Sequence, residues 1–136
     1  EALYFSKQEM ESGYLLKELK ARKIDWVLLS GFLLKLPMQY LDSFSERVIN
    51  IHPSLLPKYG GKGMYGMNVH KAVKESNEME SGMTIHYVTE NYDEGDIIFQ
   101  VSVDVSQCNS AEDIASKVLD LEHTYYPRIA EAVIKG

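Results

Sequence analysis

The segment Val48-Ile-Asn-Ile-His-Pro-Ser-Leu-Leu-Pro57 decides the fold, because an apolar β-branched run carries two polar side chains and then ends at prolines. Successive side chains of a strand point to opposite faces, so Asn50 and His52 share one face. Such a strand predicts an open α/β sheet, in which ligands bind outside the carboxyl ends of the strands. The placement makes Asn50 and His52 candidates for a functional site, since an imidazole exchanges a proton near neutral pH.

The elements that precede this strand indicate a parallel sheet. Apolar residues at helical spacing after Ser6 predict a helix. Trp26-Val-Leu-Leu29 is a short apolar run, typical of a strand buried on both faces. Pro37 is expected to open a short helix that continues through Phe44. Because helix and strand alternate up to the strand at Val48 to Ile51, the connections are expected to be right-handed crossovers.

The second half of the chain predicts a loop, two helices and an antiparallel pair of strands. Glycines occupy four positions between 60 and 66, which predicts a mobile loop whose spacing matches neither standard nucleotide-binding loop. A helix is expected from about Met67 to Glu75. The runs Gly82 to Val88 and Ile97 to Val103 predict strands that pair antiparallel across a short turn. A final helix follows, which Pro127 is expected to kink or divide.

Length and composition narrow the class of protein. The 136 residues suit a single domain, residues 1–136, and the 45% hydrophobic and 25% charged fractions are those of a globular protein. A formal charge of −6 disfavours nucleic acid as a partner, because duplex binders need a basic surface. No membrane span or secretory signal is visible. Cys108 is the only cysteine, which excludes an internal disulfide and favours a cytoplasmic location.

Four histidines are candidates for chemistry, and their surroundings in the sequence favour His52. His86 lies within an apolar strand and is expected to be a core or near-core residue held by hydrogen bonds. His70 and His123 lie on helices, where a rim or surface position is the simpler interpretation. The spacing of the histidines matches no metal site, so no metal is expected.

Asp93 is the candidate partner of His52, because it lies in a glycine-containing turn between two predicted strands. A carboxylate beside an imidazole stabilises the imidazolium and would raise the pKa of His52. The residues alone leave two interpretations of Asn50, His52 and Asp93, since such groups cluster in active sites and also form turns.

Three sequence blocks, in order, resemble the phosphoribosylglycinamide formyltransferase family of folate-dependent enzymes. The resemblance extends from about Trp26 to Pro127, and the blocks are Asn50-Ile-His-Pro-Ser-Leu-Leu-Pro-Lys-Tyr59, Ser81-Gly-Met-Thr-Ile-His-Tyr-Val88 and Tyr92-Asp-Glu-Gly-Asp-Ile-Ile-Phe-Gln100. It implies a cytoplasmic enzyme of purine (IMP) biosynthesis. Such an enzyme transfers the formyl group of its co-substrate, 10-formyltetrahydrofolate, to the amine of glycinamide ribonucleotide.

The resemblance also implies a fold and a set of partners. The fold is α/β: a Rossmann-like, open, mostly parallel twisted sheet with helices on both faces and an antiparallel strand near the C-terminal half. The partners are the two small-molecule substrates, without nucleic acid, membrane or metal, and the protein is expected to be a monomer or a homodimer.

Site roles carry over from the resemblance to matching positions. Asn50 and protonated His52 would stabilise the oxyanion, His52 would protonate the folate nitrogen, and Asp93 would hold its imidazole. Two segments and Asn50 would bind the folate, and one segment would contact the ribosyl substrate. The folate segments are Leu33, Leu34, Lys35 and Leu36 together with Thr89, Glu90, Asn91, Tyr92 and Asp93; the substrate segment is Leu119, Asp120, Leu121 and Glu122.

One departure from the family limits what the resemblance implies. The family begins with a strand and a glycine-containing loop that grips the substrate phosphate at a helix N-terminus, so we expect the chain to match roughly the C-terminal two-thirds of the fold. Phosphate binding is where a deficit is expected, together with exposed strand edges. The alternatives are another 10-formyltetrahydrofolate-dependent formyltransferase or hydrolase, and a module that binds folate without turnover.

Overall fold

The described chain comprises residues 2–32 and 34–136 of a computed structural model and contains five helices and four strands. The elements, in chain order, are α1 (Lys7–Glu11), α2 (Tyr14–Ala21), β1 (Val27–Leu29), α3 (Met38–Ser43), β2 (Val48–His52), α4 (Met67–Glu75), β3 (Glu80–Tyr87), β4 (Ile97–Asp104) and α5 (Ala111–Lys135).

The four strands of the described chain form one open sheet in the order β1-β2-β3-β4. β1 and β2 pair in parallel, with Leu29 opposite Asn50. β3 pairs antiparallel with β2, which places His86 opposite Asn50, and β4 pairs antiparallel with β3. Strands β1, β2 and β4 therefore run in one direction and β3 opposes them. The predicted open α/β sheet with an antiparallel strand in its C-terminal half is confirmed.

Strand β1 differs from its prediction as a strand buried on both faces. It is an edge strand of the described sheet, and the Leu28 side chain is 44% exposed. An edge strand has a neighbour on one side only, so less of the chain is available to cover its faces. The apolar composition of the run predicted the position of the strand correctly, but its predicted burial on both faces was wrong.

Helices cover both faces of the sheet because alternate residues of β2 enter two different cores. Ile49 and Ile51 pack with residues of α4 and α5, whereas Val48 packs with residues of α1, α2 and α3. Asn50 and His52 lie on the same face as Val48, by the alternation of the strand.

The helices follow their predicted positions with two differences. The first predicted helix is interrupted between α1 and α2 at Gly13, whose φ of 93° is left-handed. Helix α5 is continuous from Ala111 to Lys135 with Pro127 inside it, so the proline does not divide the helix. Contacts of α5 with α4, β3 and β4 hold it in place although proline lacks one backbone donor. No helix of the described residues is long and apolar enough to cross a membrane.

A Gly95→Ala substitution is expected to destabilise the protein by about 3 kcal/mol, since a small-to-large change without space forces the backbone to move. A Cβ at Gly95 would overlap the carbonyl oxygen of Tyr87. Urea unfolding measures the change in the free energy of unfolding. Glu94→Ala, at the exposed neighbouring position, is the matched control, and equal stability of both variants would contradict the expectation.

Candidate active site

A cavity of about 550 Å³ opens where the chain leaves β1 and β2. Its wall includes Asn50 and His52 at the end of β2, His86 of β3 and the glycine loop from Gly61 to Gly66. The segment that follows β1, the loop between β3 and β4, and one side of α5 complete it. The cavity lies at the strand ends, as the sequence predicts for an open α/β sheet.

His52 contacts hydrogen-bond acceptors at both ring nitrogens. Its Nδ1 lies 3.4 Å from Oδ1 of Asp93, and its Nε2 donates to the carbonyl oxygen of Tyr59 at 2.8 Å. The side chain is almost completely buried. The fold thus brings His52 and Asp93 together across 41 residues of sequence, as the sequence predicted, and adds the Tyr59 carbonyl, which no side-chain pattern indicates.

The net direction of the His52 pKa differs from the expectation. Burial lowers the pKa of His52, and this outweighs the opposing attraction of Asp93 and the Tyr59 carbonyl; the charge of His86 lowers it further. The carboxylate acts in the expected direction, but removing an imidazolium from water disfavours the charged form more strongly. Protonated His52 is therefore a stronger acid than a solvent-exposed imidazolium.

Asp93 is held in place by backbone as well as side-chain contacts. Its backbone has a left-handed φ of 54°, and its Oδ2 accepts a hydrogen bond from the N–H of Gly61 at 2.9 Å. Its Oδ1 lies near two imidazoles, with Nε2 of His86 at 3.7 Å. Burial alone would raise the pKa of Asp93, but the nearby imidazoles of His86 and His52 and the hydrogen bond from the Gly61 N–H together lower it. Asp93 is thus an ionised anchor of the site.

An Asp93→Asn substitution is expected to lower the free energy of unfolding at pH 7 by about 2 kcal/mol, the size of a hydrogen bond to a charged group. The folded pKa lies below the ordinary value of 3.8, so this stability is present above pH 3.8 and is lost as pH falls through the folded pKa. Urea unfolding at pH 7 and at pH 3 measures it, with Asp42→Asn on the exposed face of α3 as the control. A difference that does not shrink at pH 3 would contradict the role of the charge.

His86 is part of the candidate site, although the sequence predicted only a core or near-core position for it. It is buried and hydrogen-bonded, as expected, but it also lines the cavity. Its Nδ1 donates to the carbonyl oxygen of Tyr87 at 2.9 Å, which leaves Nε2 as the acceptor in the neutral ring. Nε2 lies 3.3 Å from Nδ2 of Asn50, so the amide donates to it. The contact follows from the antiparallel register, which the sequence indicates only through the pairing of whole strands.

Most of the residues that the resemblance implies for folate binding line the cavity. Of the four residues implied for substrate binding, only two do. Leu119 and Glu122 line the cavity, whereas Asp120 and Leu121 do not, because residues three apart on a helix share a face. Burial raises the pKa of Glu122, and His123 partly opposes this. The residues implied for the folate that line the cavity are Leu34, Lys35, Leu36, Asn50, Thr89, Glu90, Asn91, Tyr92 and Asp93; Leu33 lies outside the described residues.

Comparison with known proteins assigns the chain to a family. Residues 2–130 match the model of a family described as formyl transferase. The chain belongs to this family. The match to the formyl transferase model includes the cavity wall on β2, β3, the intervening glycine loop and α5.

Individual proteins match most of this chain over only part of their own length. A phosphoribosylglycinamide formyltransferase, chloroplastic, of Arabidopsis thaliana is 44% identical over 88% of this chain and 41% of its own. The solved phosphoribosylglycinamide formyltransferase of Anaplasma phagocytophilum has a TM-score of 0.84 at 31% identity, over 96% of this chain and 61% of its own. A solved formyltetrahydrofolate deformylase of Pseudomonas syringae has a TM-score of 0.82 at 27% identity, over 96% and 42%.

Proposed function

We propose that the protein transfers the formyl group of 10-formyltetrahydrofolate to the amine of glycinamide ribonucleotide, a step of purine biosynthesis. The meeting of Asn50, His52 and Asp93 at the cavity is the observation that carries the proposal, because it unites an amide donor, a buried acid and an anion. The name of the similar Arabidopsis thaliana protein supports the choice of the acceptor amine.

The loops around the cavity are proposed to bind the folate. Backbone N–H and C=O groups after β1 and in residues 89–93 can contact the edge of a pterin, since ligand sites combine apolar walls with a few placed polar groups. Lys35 lies over the ring of Tyr92 at 5.9 Å, which ties the two loops together. On the opposite wall, the carboxyl group of Glu122 is proposed to accept from the hydroxyls or the amine of the ribosyl substrate.

The chemistry requires charge stabilisation and one proton donor. When the amine attacks the formyl carbon, negative charge develops on the formyl oxygen, and hydrogen-bond donors placed at that oxygen lower the barrier. One N–H of the Asn50 amide is directed to His86, which leaves its second N–H for the oxyanion. His52 then supplies the proton of Nε2, which donates to the Tyr59 carbonyl in the structure, to the departing folate nitrogen, directly or through water. Asp93 meanwhile orients the ring through Nδ1.

The second candidate activity is hydrolysis of the same folate, because the Pseudomonas syringae deformylase has a similar fold. Water would replace the amine as nucleophile, and the same oxyanion donors would serve. Formate release in the absence of the amine distinguishes this activity from transfer. A third possibility, folate binding without turnover, is a further outcome of the same experiment.

The test is formyl transfer from 10-formyltetrahydrofolate to glycinamide ribonucleotide, with folate binding measured by calorimetry. Since the chain spans 61% of the length of the solved Anaplasma phagocytophilum protein, the assay is run on the chain itself and on a chimera preceded by the amino-terminal part of that protein. We expect folate binding by both and transfer by the chimera at least. Folded proteins that bind folate and transfer nothing would support the binding module, and formate release alone would support the hydrolase.

Further proposals concern the domain, oligomeric state, partners, location and metal dependence of the protein. Residues 1–136 are proposed to form a single formyltransferase domain, which acts as a monomer or a homodimer and takes small-molecule substrates only. Sedimentation at micromolar concentration measures the oligomeric state. A cytoplasmic location stays a prediction, since the Arabidopsis thaliana relative is named chloroplastic. Independence from metal is likewise proposed, and activity that chelation abolishes would contradict it.

A further inference from the structure

His70 carries a buried imidazole whose Nδ1 has no hydrogen-bond partner among the described residues. It lies on α4 and is 6% exposed. In the same part of the chain, the hydroxyl of Ser81 is the only other buried side-chain polar atom without such a partner. Buried polar atoms are nearly always paired, because an unpaired atom loses its hydration without compensation. The stability of the fold therefore does not account for a histidine at this position.

The position of His70 places it in the candidate active site. It lines the same cavity as Asn50, His52 and Glu122. Burial lowers the pKa of His70, and the nearby His52 lowers it further. In the described part of the chain, ion-pair contacts join Asp93 to His52 and His86 and join no carboxylate to His70. The burial of His70 and the lack of a paired carboxylate favour its neutral form, and a neutral imidazole is a proton acceptor.

We propose that His70 accepts the proton that the attacking amine loses during formyl transfer. The inference rests on the proposed function and adds to it the base that the acid His52 does not supply. Two titratable groups in one site but in different environments are a common arrangement for an acid and a base. The other ionisable side chains on the cavity wall are those of Lys35, His52, Lys62, Tyr65, His86, Glu90, Tyr92, Asp93 and Glu122. Asp93 contacts His52 and Glu90 is exposed, so Glu122 is the competing acceptor.

The proton transfers balance over one turnover. The amine nitrogen forms a bond to the formyl carbon, and the proton it loses passes to a ring nitrogen of His70. The bond between the formyl carbon and the folate nitrogen then breaks, and that nitrogen takes a proton from His52. One proton has been gained by His70 and one lost by His52, and exchange with solvent restores both residues after the products leave.

The test compares His70→Gln, which can form hydrogen bonds but accepts no proton, with His70→Leu, which removes the buried polar atoms. Lys71→Gln, at the exposed neighbouring position of α4, is the matched control. We expect both His70 variants to lower kcat by about a hundredfold, the usual contribution of a general base. The KM of the amine substrate should change by less than about threefold, since the interaction forms in the transition state. The melting temperature of His70→Leu should equal or exceed that of the unaltered protein.

The pH profile of kcat separates proton transfer from a structural role. In the unaltered protein, loss of the His70 proton should give the profile a rising limb and loss of the His52 proton a falling limb. His70→Gln should lack the rising limb and keep the falling one. Retention of the rising limb in His70→Gln, or its loss in Glu122→Gln instead, would overturn the inference, as would a kcat within about threefold of normal.

Two outcomes separate failure of this inference from failure of the proposed function. If the unaltered protein and the chimera both fail to transfer a formyl group, the proposed function is contradicted, and the inference with it. If they transfer it and His70→Gln does so equally well, only the inference is contradicted. A lower melting temperature in both His70 variants, together with their lower kcat, would assign His70 a structural role and overturn the inference as well.

Discussion

A His52→Ala variant is expected to transfer formyl groups at least about a hundredfold more slowly than the unaltered protein. The substitution removes the donor that the folate nitrogen needs when it departs. It also removes the imidazole whose Nδ1 lies 3.4 Å from the Asp93 carboxylate. Burial lowers the pKa of His52, so the rate of formyl transfer by the unaltered protein should fall as pH rises through that lowered pKa. The His52→Ala variant should lack this dependence.

Single-turnover kinetics with saturating folate measures the His52 effect without interference from product release. His123→Ala is the matched control, because His123 is an exposed histidine of α5 outside the cavity wall. Circular dichroism establishes that both variants are folded. A folded His52→Ala variant with near-normal turnover would remove His52 from the mechanism.

The kcat of an Asn50→Ala variant is expected to be lower than that of the unaltered protein by on the order of a hundredfold, the usual effect of removing one oxyanion donor. The KM of either substrate should change little, because the charge on the formyl oxygen develops only in the transition state. The amide of Asn50 is already oriented in the protein by His86 at 3.3 Å, so no reorganisation is needed when that charge appears.

Steady-state kinetics over a range of both substrate concentrations separates kcat from KM for Asn50→Ala. Asn109→Ala, at an exposed asparagine before α5, is the control for loss of an amide elsewhere. A variant whose KM rises while kcat stays normal would show that Asn50 binds substrate and does not stabilise the transition state.

Much of the fold followed from patterns with short range in the sequence. The helix from Met67 to Glu75 has its predicted bounds, and β2, β3 and β4 lie within two residues of theirs, because alternation and helical spacing act locally. The sequence predicted less well the features that depend on packing between distant segments. The burial of β1 depended on which strands lie beside it, and the continuity of α5 through Pro127 depended on packing against other elements.

The candidate site divides in the same way. Strand alternation placed Asn50 and His52 side by side, and the turn chemistry of residues 91–95 singled out Asp93. The Tyr59 carbonyl, His70 and His86 entered the site through contacts between separate parts of the chain. The resemblance to a family located the folate and substrate segments, but only the helical geometry of α5 separated Glu122 from its neighbours Asp120 and Leu121.

The sequence by itself determined which polar side chains stand at the end of β2, since a strand has a fixed period, and its resemblance to a family indicated the reaction that is proposed for them. Only the tertiary structure decided how those side chains are charged and held. The pKa of His52 is lowered although a carboxylate lies beside it, and Asn50 is oriented by a histidine of another strand. Both outcomes depend on burial and on register between distant segments, and these are set when the chain packs.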